Sequence, residues 1–396
     1  MVGVKKMPTI IAFNTFYLPG YRAGGPIRTL ANMVERLSDD FAFRIVTLDR
    51  DFGERESYPD VVRGSWVAVG RGQVMYLDPA SVSLRRLVAL VAATAPDAVY
   101  LNSFFDPTFT QRILWARRLG RLGKTPVVLA PRGEFSAGAL HLKKTKKMVF
   151  LRLSALARLY HGLTWQASSD LERADIQRHL RFVRTADIRI AMDLAPLEEP
   201  ADGAWTPRQD GEPLRVCFLS RIAPKKNLDF ALRALAEVRV PVVFTVYGPK
   251  EVPAYWAECE RLIGRLPPNV QVVYDGMVHP DDVKRTMAGH DLFFFPTRGE
   301  NYGHVIHEAL GAGLPVLISD QTPWGEVAER GVGWAFSLDT TTDFARTIDE
   351  VATWDAERLA TTRARATDFA REKAVSAEVL QANREVFAAA VQGGGV

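Results

Sequence analysis

The sequence predicts an α/β protein built on two parallel sheets, and three observations carry that expectation. Short apolar, β-branched runs alternate with longer stretches of helical period, the pattern of strands joined by crossover helices. The pattern stops and restarts once, at Pro196 to Pro213, where Pro196, Pro200, Pro207 and Pro213 are mixed with Gly203, Gly211 and several acids, as in an exposed linker. The charge changes sign at the same place. Residues 1–196 carry 29 Lys and Arg against 17 Asp and Glu, a net of +12, and the remainder carries 21 against 29, a net of −8. A total of +4 thus hides two different surfaces, and the boundary is expected near residue 200, giving domains over 1–200 and 201–360 with a helical segment over 361–396.

The strands expected in the first half are Thr9 to Phe13, Phe43 to Leu48, Ala98 to Leu101 and Pro126 to Ala130. In the second half they are Leu214 to Leu219, Val242 to Tyr247, Val270 to Tyr274, Leu292 to Phe295 and Pro315 to Ile318. Helices are expected over Thr29 to Leu37, Phe109 to Leu119 and Leu228 to Val238. Ala356 to Val391 reads as helix without strands, and Gly393-Gly394-Gly395 as a frayed tail.

Composition narrows the function classes. At 396 residues with 47% apolar and 24% charged side chains, the chain is neither a stapled mini-domain nor disordered. Two cysteines, Cys217 and Cys259, are too few for a disulfide framework or a zinc site. Cys217 stands in an apolar run and reads as a small buried hydrophobe. The first apolar run, Thr9 to Phe13, is too short for a signal-peptide core, and no stretch approaches the roughly 18 apolar residues of a spanning helix. A cytoplasmic location is expected.

The most informative stretch runs from Pro296 to Val316. It follows the strand Leu292 to Phe295, so it begins at a carboxyl end, where open α/β sheets bind ligands. A helix should start near Gly303 and stop at Gly311 to Gly313. Its first N–H groups, at Gly303, His304 and Val305, would suit a phosphate. Glu300 lies just before that helix and Glu308 inside it, and carboxylates beside a phosphate site can accept hydrogen bonds from sugar hydroxyls. Read alone, Glu308 is more simply a local cap or pair and Glu300 a solvated loop acid.

The whole string, E-N-Y-G-H-V-I-H-E-A-L-G-A-G-L-P-V, resembles the element of family 4 glycosyltransferases in which two glutamates flank seven residues. A second element stands earlier, after the strand Leu214 to Leu219. Ser220-Arg221-Ile222-Ala223-Pro224-Lys225-Lys226-Asn227 is similar to the family's G-R-L-x-x-x-K-G loop, with Asn227 in place of the usual glycine. By this resemblance Arg221 and Lys226 neutralise a donor diphosphate, which gains charge as the glycosidic bond breaks. Glu308 would take the ribose diol, and Glu300 the donor-sugar hydroxyls. Tyr302, Gly303, His304 and Val305 would surround the phosphates. Gly248, in Tyr247-Gly248-Pro249, matches the family's glycine turn, and Tyr274 to Val278 resembles the segment beside the nucleotide base. Gly24 and Gly25, after the first strand, resemble its glycine-rich loop near the donor phosphate and acceptor.

Pro131-Arg132-Gly133-Glu134 resembles a P-R-G segment of polysaccharide-building members. Many relatives carry a catalytically important His or Asp in that neighbourhood, and here the acceptor-side candidates are Arg132 and Glu134. His141 follows closely, with four lysines after it, and reads equally well as a surface residue. The resemblance implies the GT-B fold, two Rossmann-like domains facing across a cleft with a C-terminal helix crossing back. It also implies a retaining, metal-independent transfer from a nucleotide-diphosphate sugar to a glycan or lipid-linked glycan, by analogy in bacterial polysaccharide assembly. No cofactor is expected. A sugar-nucleotide epimerase or hydrolase, and a non-catalytic membrane-surface scaffold of the same fold, are the alternatives.

Competing motifs are weaker. Asp49-Arg50-Asp51 is formally a D-x-D metal motif without supporting context; His304 and His307 do not form H-E-x-x-H; no G-x-G-x-x-G follows the first strand, and no G-x-S-x-G is present. From Phe135 to Ser169 there is no acid, while Lys143, Lys144, Lys146, Lys147, Arg152 and Arg158 interleave with apolar residues. Two readings of residues 141–160 stay open: a solvated basic face over an ordinary core stripe, or a peripheral contact with an anionic membrane surface at the inner face of the cell membrane. No nucleic-acid module accompanies the charge, so a nucleic-acid partner is not expected.

Overall fold

A computed structural model describes residues 6–136, 140, 144–197, 205–209 and 211–393. His141 and Lys143 lie outside the described residues, as do 198–204 of the expected linker and the tail from 394. The chain forms two units, Met1–Ala195 with Ser376–Val396, and Pro196–Val375.

In the first unit the strands are β1 Thr9–Phe13, β2 Ala42–Leu48, β3 Trp66–Val69, β4 Gly72–Leu77, β5 Ala98–Leu101, β6 Val127–Leu129, β7 Thr164–Ala167 and β8 Ile188–Ile190. They stand in the order β3-β4-β2-β1-β5-β6-β7-β8, parallel except for the β3-β4 hairpin. The helices are α1 Gly25–Leu37, α2 Leu84–Thr94, α3 Thr110–Arg118, α4 Lys144–Leu156 and α5 Asp170–His179. Successive residues of β1 serve opposite faces: Ile11 and Phe13 join one buried cluster, Ile10 and Ala12 the other. A sheet buried on both faces explains why its central strands read as continuous apolar runs.

The second unit has β9 Leu214–Leu219, β10 Val242–Tyr247, β11 Val270–Tyr274, β12 Leu292–Phe295, β13 Val316–Ser319 and β14 Gly333–Phe336. Their order is β11-β10-β9-β12-β13-β14, all parallel. Its helices are α6 Leu228–Leu235, α7 Pro253–Ile263, α8 Val283–Ala288, α9 His304–Gly311, α10 Thr342–Ala352 and α11 Ala356–Ala374. Numbered within the unit, this is the doubly wound order 3-2-1-4-5-6, whose direction of winding reverses between β9 and β12.

The C-terminal helical stretch divides at Val375. Helix α11 packs on α9 and stays with the second unit, whereas α12, Ala377–Gly393, returns to the first. Phe387 explains the return, because its ring lies 5.4 to 5.7 Å from those of Phe41, Phe43 and Tyr100. Within the expected linker, residues 205–209 are anchored. Trp205 Nε1 donates to Asp291 Oδ1 at 3.0 Å, and Arg208 pairs with the same buried carboxylate. Cys217 and Cys259 are buried free thiols.

Candidate functional site

The winding reversal places two loops side by side, one after β9 and one after β12. After β9 the chain makes a short 3-10 turn, Pro224–Lys226, and leaves it through Asn227 at φ 63°. Asn tolerates this left-handed conformation better than most residues. Its side chain adds what glycine cannot: Nδ2 donates to the Pro296 carbonyl at 2.8 Å, and Oδ1 accepts from Arg298 Nε at 2.8 Å. Asn227 therefore ties the two loops together.

Across this junction Lys226 Nζ meets Glu300 Oε1 at 2.7 Å, with side-chain exposures of 15% and 11%. The Thr297 hydroxyl lies 2.8 Å from the same oxygen. Burial alone would raise the Glu300 carboxyl, but Lys226 and Lys225, with hydrogen bonds from Lys226 and Thr297, hold it below the ordinary carboxylate range. Glu300 is therefore a fixed anion. Its Oε1 is occupied; Oε2 accepts no hydrogen bond from the described residues.

Glu300 abuts the start of α9, since a Cβ on Gly303 would lie 3.5 Å from the Glu300 Cβ. Gly303, at φ 84° and ψ 56°, begins the helix without a side-chain cap. Along α9, Ile306, His307, Ala309 and Leu310 are buried, while His304, Val305 and Glu308 are only partly so. His304 and Glu308, four apart, share the accessible face. Tyr302 is buried against Trp324, whose Nε1 donates to the Tyr302 carbonyl at 2.5 Å. Tyr302 thus shapes the turn that leads into α9.

Sequence reasoning missed how the far end of α9 is held. Arg363 of α11 donates to the carbonyls of His290, Ala288 and Ala312 at 2.8 to 3.2 Å, a cation at helix C-termini. Burial pushes its pKa down to about 10. Its position inside a long helical period concealed it.

Gly248 serves the same loop cluster. At φ 128°, a Cβ there would lie 1.9 Å from the Ser220 carbonyl oxygen, so only glycine lets the β10 loop approach the β9 loop. Tyr274 OH closes that turn by donating to the Gly248 carbonyl at 3.0 Å. Arg221 is not part of the Lys226–Glu300 pair: its guanidinium meets Glu251 Oε1 at 3.0 Å, a half-exposed contact. A shallow groove of about 590 Å³ on this unit, lined by Trp334, Trp354 and Arg358 among others, contains none of these residues.

In the first unit, Gly24 at φ 71° caps α1 without a side chain, and Gly25 opens the helix. Asp51 holds the preceding loop, accepting from the N–H groups of Tyr21 and Arg22 at 2.8 and 3.1 Å. Asp49 is buried and paired with Arg50 and Arg63, so both acids of the formal D-x-D brace the chain. Among the described residues no three His, Cys, Asp or Glu side chains are grouped to hold a metal.

Arg132, at φ 57°, is buried in a network. It donates to Asn102 Oδ1 at 2.6 Å, to Asp193 and to the Tyr100 hydroxyl. Asn102 Nδ2 donates to the Pro26 carbonyl at 3.1 Å, and Thr29 donates to Asp193 at 2.9 Å. The Arg132 loop is thereby fixed to the glycine loop at α1. Burial opposes the guanidinium charge, but Asp193, Tyr100 and Glu172 outweigh it and raise its pKa. Glu134 Oε2 accepts from the N–H groups of Phe104 and Phe105 at 2.7 and 2.9 Å, and Oε1 from Ser103 at 2.8 Å. Burial still raises its carboxyl. Glu172 was missed: it accepts from Gly133 N at 2.6 Å and Ser168 N at 2.8 Å. The Ser169-x-x-Glu172 spacing of a helix-capping box was its signal.

Comparison with known proteins shows what the second unit is similar to. Residues 213–353 match the family model described as "Glycosyl transferases group 1". That match lies wholly within the second unit. A sulfoquinovosyl transferase of Arabidopsis thaliana is 30% identical over 113 residues, 27% of this chain and 20% of that protein. A GDP-mannose-dependent alpha-mannosyltransferase of Mycobacterium tuberculosis is 29% identical over 116 residues, 29% of this chain and 27% of that protein. The matched stretch thus spans about a quarter or less of these curated relatives. The crystal structure of HepE of Anabaena, in complex with UDP and glucose, is similar over 96% of this chain and 99% of that one, at 19% identity and a TM-score of 0.67. The chain has the GT-B fold.

Proposed function

We propose that the chain is a retaining, metal-independent glycosyltransferase that moves a sugar from a nucleotide-diphosphate donor to a hydroxyl of a glycan or lipid-linked glycan. The observation that carries this reading is the Lys226–Glu300 pair at the winding reversal of the unit that matches the group 1 model, against the uncapped start of α9. HepE, of the same fold, is seen with UDP and with UDP-glucose, which supports a nucleotide-sugar donor.

In this mechanism the diphosphate lies at the first turn of α9, where backbone N–H groups and the helix dipole favour an anion. Lys226, paired with Glu300 beside that turn, supplies a fixed cation. Arg221 reaches the phosphates by leaving its half-exposed contact with Glu251. Glu308, on the accessible face of α9, accepts from the ribose diol, and Glu300 Oε2 accepts from a donor-sugar hydroxyl. The anomeric carbon–oxygen bond to phosphate breaks, the acceptor oxygen bonds on the same face, and its proton passes to the departing phosphate oxygen. No enzyme nucleophile is required. Arg132 and Glu134 act as positioning residues that hold the loops of the first unit. A lipid-linked acceptor in bacterial polysaccharide assembly fits this chemistry and would place the protein peripherally at the inner face of the cell membrane.

The test incubates the full chain with UDP-, GDP-, ADP- or dTDP-sugars, with and without a glycan acceptor and EDTA. Acceptor-dependent transfer that survives EDTA, with the donor's anomeric configuration kept by NMR, is expected. Equal donor turnover without acceptor would replace the reading with a hydrolase or epimerase.

A further inference from the structure

Helix α4 has apolar residues on both sides. Its inner side, Phe150, Leu151 and Ser154, packs toward the core. Val149, Leu153 and Leu156, spaced as one helical stripe, face outward with exposures of 51%, 61% and 83%. Solvent-facing helix stripes are ordinarily polar, and three large aliphatic side chains in one such stripe mark a surface that is covered in use.

The surroundings say by what. Between Asp106 and Asp170 the chain contains twelve Lys and Arg and a single acid, Glu134. That acid is spent on Ser103, Phe104 and Phe105. Lys146 and Arg152 are exposed beside the stripe, and Arg158 follows its end. Helix α3 adds Arg118, which is also exposed and donates to the Ala157 carbonyl at 2.9 Å just past the end of α4. Aliphatic side chains ringed by cations suit a surface that is apolar beneath and anionic above. That is the headgroup region of an acidic bilayer.

We infer that the outer stripe of α4, Val149, Leu153 and Leu156 with Lys146 and Arg152, seats the first unit on an anionic lipid bilayer. Among the described residues no helix is long and apolar enough to cross a membrane, so attachment is in the plane of the interface. Docking does not depend on Glu300, so its failure leaves the catalytic assignment standing, and the reverse holds too.

The experiment is co-sedimentation of the full chain with vesicles of phosphatidylcholine alone or with three parts in ten phosphatidylglycerol. Binding to the acidic vesicles is expected, with little to the neutral ones. The double variant Leu153→Glu/Leu156→Glu should weaken acidic-vesicle binding at least tenfold, and Lys146→Glu/Arg152→Glu should weaken it comparably. Val375→Glu, at an exposed apolar residue of the other unit, should not weaken it. Circular dichroism and transfer to a soluble acceptor report that the variants are folded. Equal sedimentation with neutral and acidic vesicles, or full binding by the Leu153→Glu/Leu156→Glu variant, would overturn the inference. So would an oligomer in solution that the same substitutions disperse, which would give the stripe to a second copy of the chain.

Discussion

Two ion pairs, one in each unit, do opposite work with similar parts. Arg132 and Asp193 are almost sealed, at 6% and 3% exposure, and their remaining donors and acceptors meet Tyr100, Asn102 and Thr29. Lys226 and Glu300 are two to four times more exposed, and one carboxylate oxygen is left without a partner among the described residues. The first pair has spent its hydrogen-bonding capacity on the protein and acts as framework. The second keeps capacity in reserve at the carboxyl ends of adjacent strands, where a ligand can use it. Charge alone would not separate them; the difference in exposure and the unspent oxygen do.

Substitution should separate them further. Glu300→Ala or Lys226→Ala is expected to lower turnover by about 10²–10³-fold, measured as steady-state transfer, with a melting temperature near that of the parent. A large melting shift with proportionate loss of activity would move this pair into the framework class. Arg132→Met should do the reverse, costing about 3–5 kcal/mol in denaturant unfolding by stranding Asp193. Adding Asp193→Leu should restore much of that loss. If the single variant is no less stable, the network is not holding the loops.

Asn227 offers a smaller test. Asn227→Ala keeps a side chain at positive φ and loses both loop ties, an expected loss of about 1–2 kcal/mol. Asn227→Gly relieves the strain and should cost less. Equal losses for the two would mean that the hydrogen bonds, and not the conformation, set the effect.

The smallest effect is in pH. The folded Glu300 carboxyl is lower than in the unfolded chain, so its contribution to stability is full above the ordinary carboxylate range. It is lost as pH falls through the lowered value. The melting difference between the parent and Glu300→Gln should therefore stay flat from neutral pH down to that range and close only below it. Closure at higher pH would mean that Lys226 does not hold the carboxylate.

Much of the second unit was legible in the sequence because its strands are short aliphatic and aromatic runs ending in distinctive loops. Between Leu292 and Ile318 the sequence pattern matched β12, α9 and β13 within a residue or two. Less legible were β3, β4, β7, β8 and β14. Thr164–Ala167 carries Gln166, whose polarity is met by Tyr100, Asn383 and the Ala191 carbonyl, all distant in sequence. Ile188–Ile190 is a three-residue edge strand with its last two residues exposed. At the site, residue types were readable but partners were not. Nothing local in the sequence turns Arg221 toward Glu251, or gives Arg132 to Asp193, because those contacts close loops of 30 and 61 residues.

The central claim, that Lys226 and Glu300 form a donor site in which Glu300 addresses the sugar, is tested most directly by calorimetric titration. The parent and Glu300→Gln would each be titrated with the preferred nucleotide-diphosphate sugar and with the matching nucleoside diphosphate. The account predicts that Glu300→Gln weakens binding of the nucleotide sugar at least tenfold and leaves the nucleoside diphosphate within about threefold, a spread of about 0.7 kcal/mol. Equal weakening of both ligands, or no weakening of either, would contradict it.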